Sequence, residues 1–120
     1  MVKFRIAVAT DGKQGLDDAV SNVFGRAKTF TIVNVEDEKI TSVSILENPS
    51  RSYAHGAGPI AIKTLVDNGV EVVIANEIGI GASEILKQRN IIYIQAKPGT
   101  NAQKVIKNAL RTYKNLSQTS

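Results

Sequence analysis

The stretch Glu71-Val72-Val73-Ile74-Ala75 decides the fold class, because it is short and almost wholly apolar. A strand with one exposed face alternates apolar and polar residues, whereas an unbroken apolar run is typical of a strand covered on both faces, as in a parallel sheet. Residues 59–68 show near-helical apolar spacing and stop at Asn68-Gly69, which favours a helix end. A second helical pattern covers residues 80–89, and a second buried strand is predicted at residues 91–94. The stretch therefore predicts strands that alternate with helices in an α/β domain.

The N-terminal part of the chain supplies the remaining strands. Residues 2–8 alternate between apolar and other side chains, and this strand ends at Thr10-Asp11-Gly12. Residues 29–35 and 40–46 are alternating and β-branched, and the polar turn at 36–39 joins them as a hairpin. With right-handed crossovers, this order of elements predicts a ribonuclease-H-like three-layer domain. Its mixed five-stranded sheet has the order 3-2-1-4-5 with strand 2 antiparallel, and three helices cover the sheet.

The last helix combines a capping signal with two distinct faces. Pro98-Gly99 turns the chain into this helix, with Thr100 as its N-cap and Gln103 completing a capping box. The apolar face contains Ala102, Val105, Ile106, Ala109, Leu110 and Tyr113, and the basic face contains Lys104, Lys107, Arg111 and Lys114. We expect the apolar face to pack on the sheet, residues 1–115 to form one domain, and residues 116–120 to be a flexible tail.

Composition limits the classes of protein to which the chain can belong. Its 120 residues are 42% hydrophobic, so one domain can bury a core. No apolar run is long enough to cross a bilayer, and the N-terminus lacks the apolar block of a signal peptide, so we expect a cytoplasmic protein. Without cysteine the chain cannot form disulfides, zinc ribbons or an iron–sulfur centre held by protein thiolates. Any metal must be held by His55, carboxylates, backbone groups or its own prosthetic ligands.

The net charge of +4 is unevenly distributed along the chain. No acidic residue follows Glu84, whereas seven basic residues do. A basic C-terminal third favours anionic partners, although a solvated helix face is the simpler interpretation. Nucleic-acid binding through this helix is a weaker alternative, since the chain has only three tyrosines and three phenylalanines to stack bases and no recognisable module.

The predicted sheet brings several loops to one edge. Strands 1, 3, 4 and 5 point the same way, and their carboxyl ends are followed by the segments 10–28, 48–58, 76–81 and 96–99. Ligands of such sheets bind at this edge where the winding direction switches, here between strands 1 and 4. The stretch Ser52-Tyr53-Ala54-His55-Gly56-Ala57-Gly58-Pro59 lies there, and Pro59 suits the first position of a helix. Its glycines let backbone N–H groups approach an anion at that helix N-terminus.

His55 is the only histidine of the chain and the candidate metal ligand. One imidazole does not make a site for a bare divalent ion, which needs about three or four protein ligands. A preassembled anionic cluster brings its own sulfides, so it needs only this ligand, backbone donors and a counter-charge from Arg26 or Arg51. Two structural alternatives stay open. In the first, His55 has a structural role and hydrogen-bonds the backbone of its own turn. In the second, Arg26 forms a structural salt bridge with Asp11, Asp17 or Asp18.

A second glycine turn, Gly79-Ile80-Gly81, is similar to the start of a dinucleotide-binding fingerprint. Glu84 stands where the third glycine belongs and would repel a pyrophosphate, so we exclude a Rossmann cofactor but keep the turn as a source of N–H donors. Asp11 and Glu77, near the ends of strands 1 and 4, are candidates for a carboxylate pair. A two-metal nuclease needs more clustered acids than these. The chain also lacks cysteine and a Gly-x-Ser-x-Gly motif, so we expect no catalytic residues and no enzyme activity.

Four motifs stand in an informative order: Phe24-Gly25-Arg26-Ala27, Glu47-Asn48-Pro49, His55-Gly56-Ala57-Gly58, and Gly79-Ile80-Gly81-Ala82 after the strand at 70–75. In their order and spacing the chain resembles, over residues 3–113, the dinitrogenase iron–molybdenum cofactor biosynthesis family, which includes small NifX-like and NafY-like carriers. The resemblance implies a ribonuclease-H-like fold and non-covalent binding or transfer of a metal–sulfur cluster such as the iron–molybdenum cofactor or its precursor. It also implies a histidine ligand, carried onto His55, and metal-cluster biosynthesis or acceptor proteins as partners.

We therefore expect a small non-catalytic carrier whose pocket accepts an anionic metal–sulfur cluster. His55 would be the direct ligand, Arg26 the counter-charge, and the backbone donors would come from Gly56, Ala57, Gly58, Gly79 and Gly81. A monomer or weak homodimer is expected, with neither nucleic acid nor membrane as a partner. The alternative is a regulatory or interaction domain that binds protein or nucleic acid through its basic last helix. A hydrolase of a phosphorylated metabolite has only the glycine turns in its favour.

Overall fold

The sheet has the strand order and directions that the sequence predicts. The computed structural model describes the backbone of residues 3–119 and the side chains of residues 3–112. The strands are β1 (Lys3–Thr10), β2 (Thr29–Glu36), β3 (Lys39–Glu47), β4 (Val72–Ala75) and β5 (Ile92–Gln95), and the helices are α1 (Ala57–Asp67), α2 (Ile80–Gln88) and α3 (Ala102–Thr119). The sheet order is β3-β2-β1-β4-β5, with β4 parallel to β1 and β5, and β2 antiparallel to β1 and β3. The predicted α/β fold with its 3-2-1-4-5 sheet is therefore confirmed.

Two apolar cores lie on opposite faces of this sheet. All four residues of β4 are buried, which explains the unbroken apolar run in the sequence. Val73 and Ala75 belong to the core under α1 and α2, whereas Val72 and Ile74 belong to the core under α3. Complete burial of one valine or isoleucine side chain stabilises a fold by about 1.5–3 kcal/mol. Helices on both faces therefore hold the sheet and fix the loops at its carboxyl edge.

The starts of α1 and α3 differ from the sequence prediction. Helix α1 begins at Ala57, after Gly56 with φ 73°, so Pro59 occupies the third helical position and not the first. Helix α3 is capped by Asn101, whose side-chain oxygen accepts the Lys104 N–H at 3.2 Å, and not by Thr100. The prediction at Thr100 fails because its carbonyl accepts the Val20 N–H, which ties this segment to the loop after β1.

Strand β5 was predicted to be buried, but it is the edge strand and three of its residues are only half-buried. On the described part of α3, Lys104, Lys107 and Arg111 are exposed while Val105, Ile106 and Ala109 are buried, so the two predicted faces are confirmed there. Val2 of the predicted first strand, the side chains of Tyr113 and Lys114, and those of the predicted tail at 116–120 lie outside the described residues. Within the described chain, no helix is both long and apolar enough to span a membrane.

Candidate functional site

Three loops line an open pocket at the carboxyl ends of β1 and β4. Its volume is about 450 Å³, and it is lined by residues 22–26, 56–59, 77–79 and 81–82. We call it the glycine pocket, because Gly25, Gly56, Gly58, Gly79 and Gly81 all line it. Volumes of roughly 300–1,000 Å³ are typical of small-molecule sites. The pocket lies at the edge and the switch point that the sequence pattern indicates.

Two helices begin at this pocket with uncapped N-termini. Gly56 is the N-cap of α1 and Gly79 is the N-cap of α2, and neither provides a side-chain capping bond. The first N–H groups of a helix have no partner within the helix, and the aligned peptide dipoles place about half a positive charge at each start. Since Pro59 has no N–H, the first turn of α1 offers only the N–H groups of Ala57 and Gly58, whereas that of α2 offers those of Ile80, Gly81 and Ala82. Both helix starts therefore offer N–H groups to an anion in one volume.

Gly25 closes the pocket from the side of the β1 loop through a backbone contact. A Cβ atom on Gly25 would lie 2.6 Å from the Gly58 nitrogen and 2.9 Å from the carbonyl carbon of Ala57. Such distances are shorter than real Cβ contacts, so only glycine fits against the first turn of α1. By contrast, nothing lies within 4 Å of a Cβ placed on Gly79. A side chain is therefore excluded at Gly25 but could be accommodated at Gly79, although both glycines line the same pocket.

Buried polar side chains fix this contact. Asn48 and Ser50 are 2% and 0% exposed. The Asn48 amide nitrogen donates to the carbonyls of Gly25 and Ala27, at 2.9 Å each, and its oxygen accepts the Ser50 N–H at 3.1 Å. The Ser50 hydroxyl lies 2.7 Å from the Gly25 carbonyl and 3.1 Å from that of Ala57. Since buried hydrogen bonds are costly to break, this network holds the loop after β1 against the start of α1.

A second set of hydrogen bonds positions the loop between β4 and α2. The Tyr93 hydroxyl donates to the Asn76 carbonyl at 2.7 Å, and the Asn76 side-chain nitrogen donates to the Asn22 carbonyl at 3.2 Å. Partial burial, and then the nearby charge of Glu77, raise the pKa of Tyr93, so the phenol keeps its proton to a higher pH than an unperturbed tyrosine does. Asn76 thereby connects strands β4 and β5 with the β1 loop at the pocket.

Of the charged residues that the sequence singled out, some line the pocket and others do not. Arg26 is exposed and lines the pocket, and within residues 3–112 it forms no salt bridge, so the alternative of an ion pair with Asp11, Asp17 or Asp18 is wrong. Asp18 is instead buried and accepts the N–H groups of Gln14 and Ala19. Of the proposed carboxylate pair, Glu77 lines the pocket and Asp11 does not.

His55 lies beside the pocket and not among the residues that line it. It is exposed, directly precedes Gly56, and makes no hydrogen bond or ion pair with any other described residue, so the alternative of a turn-fixing histidine has no support. Arg51 is likewise exposed and outside the lining. The other six predicted site residues come together: Arg26, Gly56, Ala57, Gly58, Gly79 and Gly81.

The donors of the pocket suit an anion better than a bare metal ion. Across the described chain, no three histidine, cysteine, aspartate or glutamate residues are grouped to hold a metal. The lining instead offers helix N–H groups and one guanidinium. Sequence reasoning missed Ser50 and Asn76 as positioning residues, and it noted Asn48 only within a motif. The available signal was small polar residues that directly follow strand ends, where buried loops need internal hydrogen-bond partners.

Fold and pocket together define a three-layer α/β domain with a glycine-lined pocket at the carboxyl edge of its sheet. The chain belongs to the dinitrogenase iron-molybdenum cofactor family, whose model matches residues 3–112. The apo orange protein of Desulfovibrio gigas is similar in structure, with 28% identity, a TM-score of 0.81, and coverage of 90% of this chain and 88% of that one. A Thermotoga protein described as a candidate NifB protein is 35% identical with a TM-score of 0.70, covering 86% of this chain and 84% of that one.

A curated relative from Methanocaldococcus jannaschii, the uncharacterized protein MJ0580, is 33% identical over 75 residues. These residues are 62% of this chain and 64% of the relative, so the chain spans less than two thirds of that protein. The family resemblance expected from the glycine motifs is therefore confirmed by both sequence and structure.

Proposed function

We propose that this protein is a non-catalytic carrier that binds an anionic metal–sulfur cluster, of the iron–molybdenum cofactor or precursor type, in the glycine pocket. The observation that carries the proposal is that two uncapped helix starts and Arg26 meet in one open pocket, in a chain of this family. The likeness to the orange protein and to the Thermotoga protein supports the same class of role.

The chemistry of the donors favours a cluster that is already assembled. A cluster that carries its own sulfide ligands needs neutralisation and hydrogen-bond donors more than a full set of protein ligands. Each helix start contributes about half a positive charge, and N–H groups that donate to an anion form bonds of roughly 1.5–3 kcal/mol. Gly56, Ala57, Gly58, Gly79 and Gly81 would supply these donors from the backbone, and Arg26 the counter-charge.

His55 would act as the direct ligand at the edge of the pocket. It is exposed and adjacent to Gly56, so a cluster seated on the start of α1 would be next to an accessible imidazole. Carriage requires no turnover, so the pocket needs no nucleophile or general base. Such a carrier would act in the cytoplasm as a monomer or weak homodimer, with cluster-biosynthesis and acceptor proteins as its partners.

The test is retention of a metal–sulfur probe under anaerobic conditions. Apo protein is mixed with the isolated iron–molybdenum cofactor or with tetrathiomolybdate, separated by gel filtration, and analysed for molybdenum. We expect wild-type protein to retain the probe, and His55→Ala and Arg26→Gln to retain less. Arg51→Gln is the matched control, since it removes an equal charge from an exposed arginine outside the lining. Equal retention of the iron–molybdenum cofactor in His55→Ala would exclude the ligand role, and no retention of either probe by wild type would overturn the proposal.

A further inference from the structure

The residues that line the glycine pocket include one acidic residue and one basic residue. Glu77 and Arg26 both belong to the lining, and all its other side chains are uncharged. Among the residues that the structure describes, neither of the two takes part in an ion pair, so both charges act on the pocket separately. The formal charge of the lining side chains is therefore zero. The positive potential that remains comes from the two helix starts.

The position of Glu77 is fixed by its neighbours. The residue before it, Asn76, is held from two directions by the Tyr93 hydroxyl at 2.7 Å and by its own bond to the Asn22 carbonyl at 3.2 Å. Two residues later the chain enters α2 through Gly79. Short tethers on both sides keep the Glu77 backbone at the pocket. The effect of its charge on the Tyr93 pKa agrees with this placement.

We propose that Glu77 makes the glycine pocket selective for anions of low net charge. The inference rests on the proposed function and concerns which anionic cargo the pocket retains. The cost of taking an anion out of water rises with the square of its charge, whereas its attraction to the pocket rises only linearly. A pocket whose side-chain charges cancel attracts an anion only weakly. As the charge of the ligand grows, the cost of removing it from water therefore exceeds this attraction at a lower charge than it would in a strongly positive pocket. Glu77 thus favours cargo whose charge is small or widely spread.

Two probes of the same shape and different charge test this selectivity. Tetrathiomolybdate is a dianion and tetrathiorhenate is a monoanion, and both are tetrahedral. The variant Glu77→Gln removes the charge and keeps the shape of the side chain. Glu84→Gln is the matched control, because Glu84 is exposed on the first turns of α2 but does not line the pocket. Kd is measured for each probe at one fixed ionic strength, since salt screens exposed charges.

The expected gain in affinity depends on the charge of the probe. For an exposed carboxylate, Glu77→Gln should tighten binding of the monoanion about twofold and of the dianion about fourfold, because the repulsion doubles with ligand charge. Glu84→Gln should leave both Kd values close to wild type. Unchanged affinity in Glu77→Gln, or an equal gain for both probes, would overturn the inference.

The same measurements separate this inference from the proposed function. If wild type retains tetrathiomolybdate and Arg26→Gln weakens it, but Glu77→Gln changes nothing, the carrier proposal stands and the selectivity inference is wrong. If no form of the protein retains either probe, both the carrier proposal and the selectivity inference are wrong. Thermal unfolding of each variant shows that the fold is intact, which we expect because Glu77, Glu84 and Arg26 are all exposed.

Discussion

Replacing Gly79 by aspartate should stabilise the protein and weaken its proposed binding of the cluster. Gly79 is the N-cap of α2 with φ −68° and ψ 166°, an extended conformation that any residue adopts. Nothing lies within 4 Å of a Cβ placed there, so the new side chain is accommodated. Its carboxylate would accept the N–H of Gly81, which the proposal assigns to the cargo, or that of Ala82 in the same turn. Stability and binding therefore change in opposite directions.

The gain in stability follows from two contributions. An aspartate N-cap is better than glycine by a few tenths of a kcal/mol, and its charge at the helix start adds about 0.3–1 kcal/mol. The sum, about 1 kcal/mol, corresponds to an increase in Tm of roughly 3–5 °C for a domain of this size. Loss of charge-assisted hydrogen bonds worth about 1.5–3 kcal/mol should weaken tetrathiomolybdate binding by about tenfold or more.

Thermal unfolding by circular dichroism and probe retention on the same samples give both quantities. Gly79→Ser separates the two causes, because serine caps the helix without adding a charge. We expect it to weaken binding less than Gly79→Asp while still raising Tm. If Gly79→Asp raises Tm and retains the probe as wild type does, the N–H groups at the start of α2 are not the donors. A damaged fold cannot produce the expected result, since it would lower Tm.

Three further outcomes concern the scaffold of the pocket. Gly25→Ala should destabilise the protein by about 1–3 kcal/mol in urea unfolding, because its Cβ would meet the backbone of Gly58 at 2.6 Å; wild-type stability would refute the contact. Asn48→Asp should cost about 3 kcal/mol or more, since a buried carboxylate would replace the amide donor facing two carbonyl oxygens, and the loss should shrink in acid as that carboxylate is protonated. The raised pKa of Tyr93 means that the folded protein holds the phenol proton more tightly than the unfolded chain does. The resulting contribution to the free energy of unfolding is complete below the ordinary tyrosine pKa and is lost as pH rises through the pKa of the folded state. Tyr93→Phe should therefore show a smaller fall in Tm at alkaline pH, and an identical fall would contradict this assignment.

The fold was predictable because its strongest signals are local. The apolar run of β4 and the alternation in β2 and β3 each reflect burial that a few neighbouring residues encode, and strand order followed from connection rules. Helix starts were less predictable. Thr100 has the sequence of a cap, but its carbonyl bonds to Val20, 80 residues earlier in the chain, and Asn101 caps α3 instead.

The glycines of the candidate site were predictable from the sequence, but the residues whose hydrogen bonds position its loops were less so. Glycines that precede helices at one sheet edge are visible in the sequence. The roles of Ser50 and Asn76 are not, because their partners in the β1 loop lie 25 and 54 residues away. The freedom of Arg26 from the nearby aspartates was also unpredictable, since Asp18 turns inward to bind backbone N–H groups of its own loop.

In the proposed carrier, the hydrogen-bond network of Asn48 and Ser50 has a consequence for the kinetics of cargo exchange. It joins the loop after β1 to the start of α1 through protein groups alone, so these two walls of the pocket are preorganised. Capture of a cargo by such a carrier would spend little free energy on ordering this backbone, and association would need no slow rearrangement of it. Amide hydrogen exchange at residues 24–27 should accordingly be almost the same in the empty and the loaded protein, whereas the Ala57 and Gly58 amides, which the proposal assigns to the cargo, should exchange more slowly in the loaded protein.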